Sequence, residues 1–481
     1  MTSDDLPFDA ATLGKAIRER KISCVEVMTA TLDRIDRLNP KVNAIVARRP
    51  RDELIAEARA RDDDIARGNY RGTLHGFPHA IKDLEPMRGL PTSMGFAPLR
   101  DLVAPADSIM VERMRASGAI FIGRTNTPEF GLGSHTINKL HGPTLNAYDQ
   151  TKSAGGSSGG AAVALALRIL PVADGSDYGG SLRNPAGWNN IFALRPSIGR
   201  IPSATRNDIW LPSMGVLGPM ARSIPDLALL LGVQAGYDAR APLSIEQPLA
   251  LDKLDWHRDF KGKRIAWSGD MGGYLPFESG VLDTCRAALK TFEDMGCIVE
   301  EANPDFPIDA VWRAWLTLRA WQAGSGLLPI YNNPSMRPHM KPEAAWEVEQ
   351  GARLTAYDIS AASMVRTQWY EAVRKFFDER FDFWFLPTAQ LFPFDVTLDW
   401  PKEIAGHKMT TYHEWMKVVL PATMSGCPTL AAPAGFGPTG CPIGLQIVAR
   451  NHAERTLLEL GHAYDQRTNW VTKRPPPLLQ T

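Results

Sequence analysis

The sequence predicts an α/β fold, and three observations carry that prediction. Helical runs alternate with short apolar strands, two glycine-hemmed serine loops flank one Ala-rich stretch, and strand-like apolar tracts return toward the C-terminus. Ser23-Cys24-Val25-Glu26 is a capping box, followed by Val25, Met28, Leu32 and Ile35 at helical spacing until Pro40. A second helical run through Leu54, Ala58 and Ile65 stops at Gly68, so residues 1–68 read as packing helices. His79-Ala80-Ile81 is a short strand that delivers Lys82 at its end. Asp107 caps a helix running through Met114, Gly118 ends it, and Ala119-Ile120-Phe121-Ile122 resumes as a buried strand. Ala161 to Ile169 is helical by composition and Pro171-Val172-Ala173 is the next strand. Ser223, Pro225 and Asp226 open a helix over Leu227–Leu231.

This order divides one domain, 1–481, into regions. Residues 69–235 form the core that carries the chemistry. Residues 236–375, with scattered prolines, an aromatic cluster and long helical runs, read as a helical insertion or lid. Residues 376–481 return to the sheet, at Phe381–Thr388 and Ile443–Val448. Length alone does not decide between one large domain and several.

Lys plus Arg and Asp plus Glu are equal at 53 each, so no net field draws in nucleic acid or an anionic membrane. A small neutral molecule is the expected partner, with water as co-substrate. Cys24, Cys285, Cys297, Cys427 and Cys441 show no CxxC or His-flanked spacing and are expected to be reduced thiols. The ten histidines, among them His79, His135 and His141, show no metal-ligand spacing, so no metal or cofactor is expected. The N-terminal stretch carries Asp4, Asp5 and Asp9 and no apolar run, and no stretch of about 18 uncharged apolar residues follows. A cytoplasmic location is the expectation; a homodimer is allowed but not required.

The chemistry lies in Gly155-Gly156-Ser157-Ser158-Gly159-Gly160 and Asp177-Tyr178-Gly179-Gly180-Ser181-Leu182-Arg183, which place two serines 24 residues apart. Glycines around a serine clear space for a substrate carbonyl and let backbone N–H groups converge on its developing oxyanion. Ser157 also fits the G-x-S-x-G elbow of a Ser-His-Asp esterase, but that elbow needs a buried strand before it, and Thr144–Ala154 is polar and turn-like. A flexible linker is the other bland reading, at odds with the Ala-rich helix that follows at once. Ser181 is the better nucleophile because it follows a strand. The N–H groups of Tyr178, Gly179, Gly180 and Ser181 are candidates for the oxyanion hole, each donor typically worth about 3–4 kcal/mol. Ser158, Asp177 and Arg183 are candidates for loop support, the last two as an ion pair, unless both are unrelated surface charges.

Lys82, in Gly76-Phe77-Pro78-His79-Ala80-Ile81-Lys82-Asp83, is the candidate base. At the reference pKa only about one lysine in 2,500 is neutral at pH 7. Burial that lowered the pKa to ~8 would make about a tenth neutral. Asp83 follows directly, but successive strand side chains point to opposite faces, so it need not re-charge the amine. The competing reading is a surface lysine at a strand end.

Together these motifs resemble the amidase signature family. The likeness runs from the Ser23–Pro40 helix through Gly123-Arg124-Thr125-Asn126-Thr127-Pro128-Glu129-Phe130 and both serine loops. It continues through Leu194-Arg195-Pro196-Ser197 and Gly218-Pro219-Met220-Ala221-Arg222-Ser223 to Pro442-Ile443-Gly444-Leu445-Gln446. The resemblance implies an α/β/α sandwich with a mixed central β-sheet surrounded by helices, and a Ser-cisSer-Lys triad. By motif, Ser181 is then the nucleophile, Ser157 the bridging serine after a cis peptide, and Lys82 the base. It implies hydrolysis of the C–N bond of amides, anilides or carbamates (urethanes) through an acyl- or carbamoyl-enzyme. Ala147, Ala154, Ala193, Arg195 and Thr423 depart from the family pattern and bear on subfamily and pocket contacts.

Neutral charge and aromatic content in 236–375 favour a small non-peptide amide, anilide or carbamate. Trp312, Trp315, Leu316 and Arg319 fall at helical spacing, as a pocket wall or as core. The alternatives are the glutaminase component of a tRNA-dependent amidotransferase, the esterase above, and a silent binding protein on the same fold.

Overall fold

A computed structural model describes residues 6–204, 208–211 and 213–480. Asp4 and Asp5, which entered the reading of the N-terminus, lie outside them. The chain builds two sheets and a small hairpin. The strands are β1 (Ile45–Val46), β2 (Pro78–Lys82), β3 (Ile120–Thr125), β4 (Ala173–Asp177), β5 (Phe192–Arg195), β6 (Val216–Ala221), β7 (Arg264–Trp267) and β8 (Ile298–Glu301). They continue with β9 (Phe383–Pro387), the hairpin β10 (Glu403–Ile404) and β11 (His407–Lys408), β12 (Thr429–Phe436) and β13 (Pro442–Ala449). The large sheet has eight strands in the order β4-β6-β5-β12-β13-β9-β7-β8. Its pairs are antiparallel from β4 to β9 and parallel between β9, β7 and β8, so the sheet is mixed.

The second sheet, in the order β1-β3-β2, was not foreseen. It pairs β2 parallel to β3, with Lys82 opposite Thr125. Lys82 therefore comes from outside the large sheet, and β2 packs beside that sheet's first strand, β4. Between the two sheets runs the helix Gly159–Ala166, every residue of which is buried. Its Ala, Val and Leu face apolar neighbours on all sides, as an all-round hydrophobic helix must. Gly160 is required there, since a Cβ would lie 2.4 Å from the Asn126 backbone nitrogen.

The N-terminal helix Cys24–Val42 carries the expected capping box, and the next helix spans Arg51–Ala66. Ser108, not Asp107, caps Ile109–Ala116; the Asp107 carboxylate is taken by Arg88 N–H and by Arg115. The strand after the Ala-rich helix starts at Ala173, two residues later than Pro171, and Ser223 caps Ile224–Gln234.

Residues 236–375 are not a purely helical insertion. Alongside the helices Val281–Asp294, Ile308–Tyr331, Pro342–Gly351 and Ala356–Glu379, they contribute β7 and β8 to the large sheet. These strands have four residues each, and the polar β8 at the sheet edge has no strong apolar alternation to reveal it. All five cysteines are buried free thiols. Among the described residues no helix is long and apolar enough to cross a membrane.

Candidate active site

The two serine loops and the end of β2 converge where β4 meets the smaller sheet. Lys82 is completely buried, and its Nζ lies 2.8 Å from Ser157 Oγ, 2.8 Å from Ser158 Oγ and 3.0 Å from Ser176 Oγ. The Gly156–Ser157 peptide is cis. Ser158 joins the loops directly: its N–H donates to the Ser181 carbonyl at 3.1 Å. Ser158 is thus more than loop support, and Ser176, which sequence reasoning passed over, is a third hydroxyl on the amine. Among the described residues no hydrogen bond joins the Ser157 and Ser181 hydroxyls, so the structure links Lys82 to Ser157 but not Ser157 to Ser181.

Burial drives the Lys82 ammonium down to about 7, against the opposing pull of Asp174, then Asp177 and Glu85. Roughly half the amine is therefore neutral near pH 7. A neutral amine donates two hydrogen bonds and accepts one. The Ser158 hydroxyl lies 3.5 Å from the Ser176 carbonyl, to which it donates, which leaves Ser157 or Ser176 to donate to the lysine lone pair. Asp83 does turn away, as strand alternation required. It takes the Ser93 N–H at 2.9 Å and the Ser93 hydroxyl, and it lies 3.5 Å from Arg124.

Asp177 and Arg183 form a buried, bidentate ion pair at 2.8 and 2.9 Å. Burial pushes the Asp177 carboxyl up, but Arg183 and Arg195 more than reverse this and hold it well below the usual carboxylate range. Arg183 also donates to the Val419 carbonyl, Gln446 and Thr423. Two positions that depart from the family pattern, Arg195 and Thr423, thus touch this same cluster.

The oxyanion loop needs one correction. The Gly180 N–H donates to Asp177 Oδ1 at 3.0 Å and is unavailable, because the carboxylate that holds the loop consumes it. The Gly179 and Ser181 N–H groups have no acceptor within the described chain. Gly180 is needed for shape instead, with φ of 93° and Asn184 Oδ1 only 2.0 Å from where a Cβ would sit.

The pocket expectation is also corrected. Trp312, Trp315 and Arg319 are buried behind the loop and do not line the main cavity. Trp315 stacks on Trp312 and meets Tyr178 edge-on, and the Arg319 guanidinium sits over the Tyr178 ring at 4.8 Å. They brace Tyr178. A cavity of about 580 Å³ is lined by Ser176 and Tyr178, with Leu84, Met94 and Phe130 among its apolar walls; Lys82, Ser157 and Ser181 are not among its lining residues. Its ionisable carboxyl groups are Glu85, Asp177 and Asp208, and no lysine or arginine among the described residues lines it.

Sequence reasoning also missed His79 and Asp174, a buried pair at 2.9 Å beside Lys82. This is a histidine–aspartate pair, yet no hydrogen bond runs from it to either serine, so it does not complete the esterase triad.

The site thus holds a buried lysine on a serine that follows a cis peptide, with two glycine loops meeting between the sheets. The family model for amidases matches residues 26–458, and the chain belongs to the amidase signature family. It is similar to an acylamidase of Rhodococcus erythropolis, 33% identical over 100% of this chain and 99% of the relative. It is also similar to the A-type subunit of the glutamyl-tRNA(Gln) amidotransferase of Methylococcus capsulatus, 30% identical over 97% of this chain and 98% of the relative. Among solved structures, a bacterial aryl acylamidase of the amidase signature family superimposes with a TM-score of 0.89 at 28% identity, covering 96% of each chain.

Proposed function

We propose that this chain hydrolyses the C–N bond of small, neutral, non-peptide amides, anilides or carbamates, with Ser181 as nucleophile, Ser157 as proton bridge and Lys82 as base. The observation that carries the reading is the buried Lys82 amine, 2.8 Å from the Ser157 hydroxyl and depressed to about 7 by burial. Neutral Lys82 takes the Ser157 proton as Ser157 takes that of Ser181, and Ser181 Oγ forms a bond to the substrate carbonyl carbon. The Gly179 and Ser181 N–H groups receive the oxyanion. The proton then passes back through Ser157 to the departing nitrogen as the C–N bond breaks. Water, deprotonated along the same route, releases the acid. Catalytic hydrogen bonds commonly close only with substrate in place, and a rotamer change at Ser157 or Ser181 is the smallest movement that would complete the relay.

The cavity supports a neutral substrate. Its apolar walls suit an aryl or alkyl group, while the carboxyl groups of Glu85 and Asp208 disfavour an anionic one. The similarity to an amidotransferase component keeps a glutaminase as the second reading. Against it, glutamine carries an α-carboxylate that calls for a cation, and the described lining supplies none. The test is a chromogenic panel of anilides, carbamates, esters and primary amides with Ser181→Ala as control. Turnover of neutral anilides or carbamates by the isolated chain, lost in the control, supports the proposal. Turnover of glutamine alone, and only with partner proteins present, overturns it.

A further inference from the structure

The pair His79–Asp174 is buried, charged and unused by the relay. Asp174 stands on β4 and reaches across to the free edge of β2. There its Oδ2 accepts the Lys82 backbone N–H at 3.2 Å and its Oδ1 accepts from His79 Nε2 at 2.9 Å. The Lys82 N–H would otherwise be an orphan at a strand edge, since β3 pairs on the other side. His79 Nδ1 is buried and has no partner, so the ring proton belongs on Nε2, where the carboxylate receives it. Residues 95 apart in the chain are thereby locked into one arrangement beside the lysine.

We propose that Asp174, held in place by His79, is a positioning residue for the Lys82 base, fixing its backbone and supplying the negative charge that keeps the buried amine basic enough to accept a proton. The inference rests on the reading of Lys82 as base. Burial alone would leave the amine a feeble acceptor, and a base works best with a pKa near the working pH. Among the charges that oppose burial at Lys82, Asp174 is the largest, ahead of Asp177 and Glu85. Asp177 is neutralised by Arg183 and Arg195, whereas the cation felt by Asp174 from the neighbouring strand is Arg124, which lies against Asp83. Of these two, Asp174 is therefore the less compensated carboxylate acting on the amine.

The test is the pH dependence of kcat/KM in Asp174→Asn. The asparagine oxygen can still accept the Lys82 N–H and its amide can donate to His79 Nε2 once the ring proton moves to Nδ1, so the contacts of Asp174 are kept and its charge is lost, at the cost of an unpaired Nδ1–H. Removing a charge that favours the ammonium lowers the lysine pKa, so the acid limb should move to lower pH by about one unit or more. Should that variant fail to fold, His79→Gln with Asp174→Asn restores every hydrogen bond with a neutral pair and should show the same displacement. An acid limb that stays in place or moves upward in either folded protein overturns the role of Asp174. Lys82→Ala is run in parallel. Its full turnover between pH 6 and 9 would overturn the base itself, whereas an inactive Lys82→Ala beside an unmoved Asp174→Asn limb removes only the role given to Asp174.

Discussion

Lys82 Nζ and Ser157 Oγ are 2.8 Å apart with the amine completely buried, and that burial lowers the lysine pKa to about 7. The protonated lysine cannot accept a proton, so kcat/KM should rise with pH through an apparent value near 7. Lys82→Arg keeps the charge but cannot surrender it. Steady-state rates of that variant should fall by about 10²–10⁴-fold at every pH, and the acid limb should vanish.

The two serines should separate by their reactivity toward a serine-directed phosphonate. Ser181→Ala abolishes covalent labelling because the bond-forming oxygen is gone. Ser157→Ala leaves that oxygen in place and removes only the proton route, so labelling should persist but slow by at least about tenfold. Intact-protein mass spectrometry against time distinguishes the two.

Arg183 holds the second glycine loop through Asp177, and the pair is wholly buried. Replacing Arg183 by leucine leaves the carboxylate with Arg195 alone. Breaking a buried pair from one side typically costs about 3–5 kcal/mol. Chemical denaturation should show a loss of that order, and kcat should fall more than KM rises, because the loop acts on the oxyanion rather than on ground-state binding.

Lys82 should also leave a signature in stability. Its pKa is near 7 when folded and near 10.4 when unfolded, so between these values the unfolded chain binds the extra proton. Its contribution is therefore fully present above the unfolded value and is lost as pH falls through the folded one. The stability of the wild type relative to Lys82→Met should rise by up to about 1.4 kcal/mol per pH unit across that window. Parallel urea titrations at pH 6, 8 and 10 check this, and a flat difference would mean the lysine is not depressed.

The residues of the candidate site were legible because glycine loops and a strand-ending lysine are local signals. The capping box at Ser23, the strand that ends at Lys82, and the turning away of Asp83 all follow from neighbours in sequence. What was not legible depends on distant partners. Asp174 lies just past the strand read at Pro171–Ala173 and carries no motif, and the approach of β2 gives its carboxylate two donors. The Gly180 N–H looked available until Asp177 turned back to take it. Trp312, Trp315 and Arg319 lie on one helix face as their spacing requires, but spacing does not say whether that face meets a cavity or the back of Tyr178. Two short strands were lost among long helices because four residues hold too little periodicity.

Whether one buried amine gives up its charge to activate a serine can be read from the rate of Ser181 phosphonylation between pH 5 and 9. In the wild type that rate should trace a single sigmoid with its midpoint near 7, and in Lys82→Ala it should be slow and flat. Superimposable profiles for the two proteins would remove Lys82 from the relay.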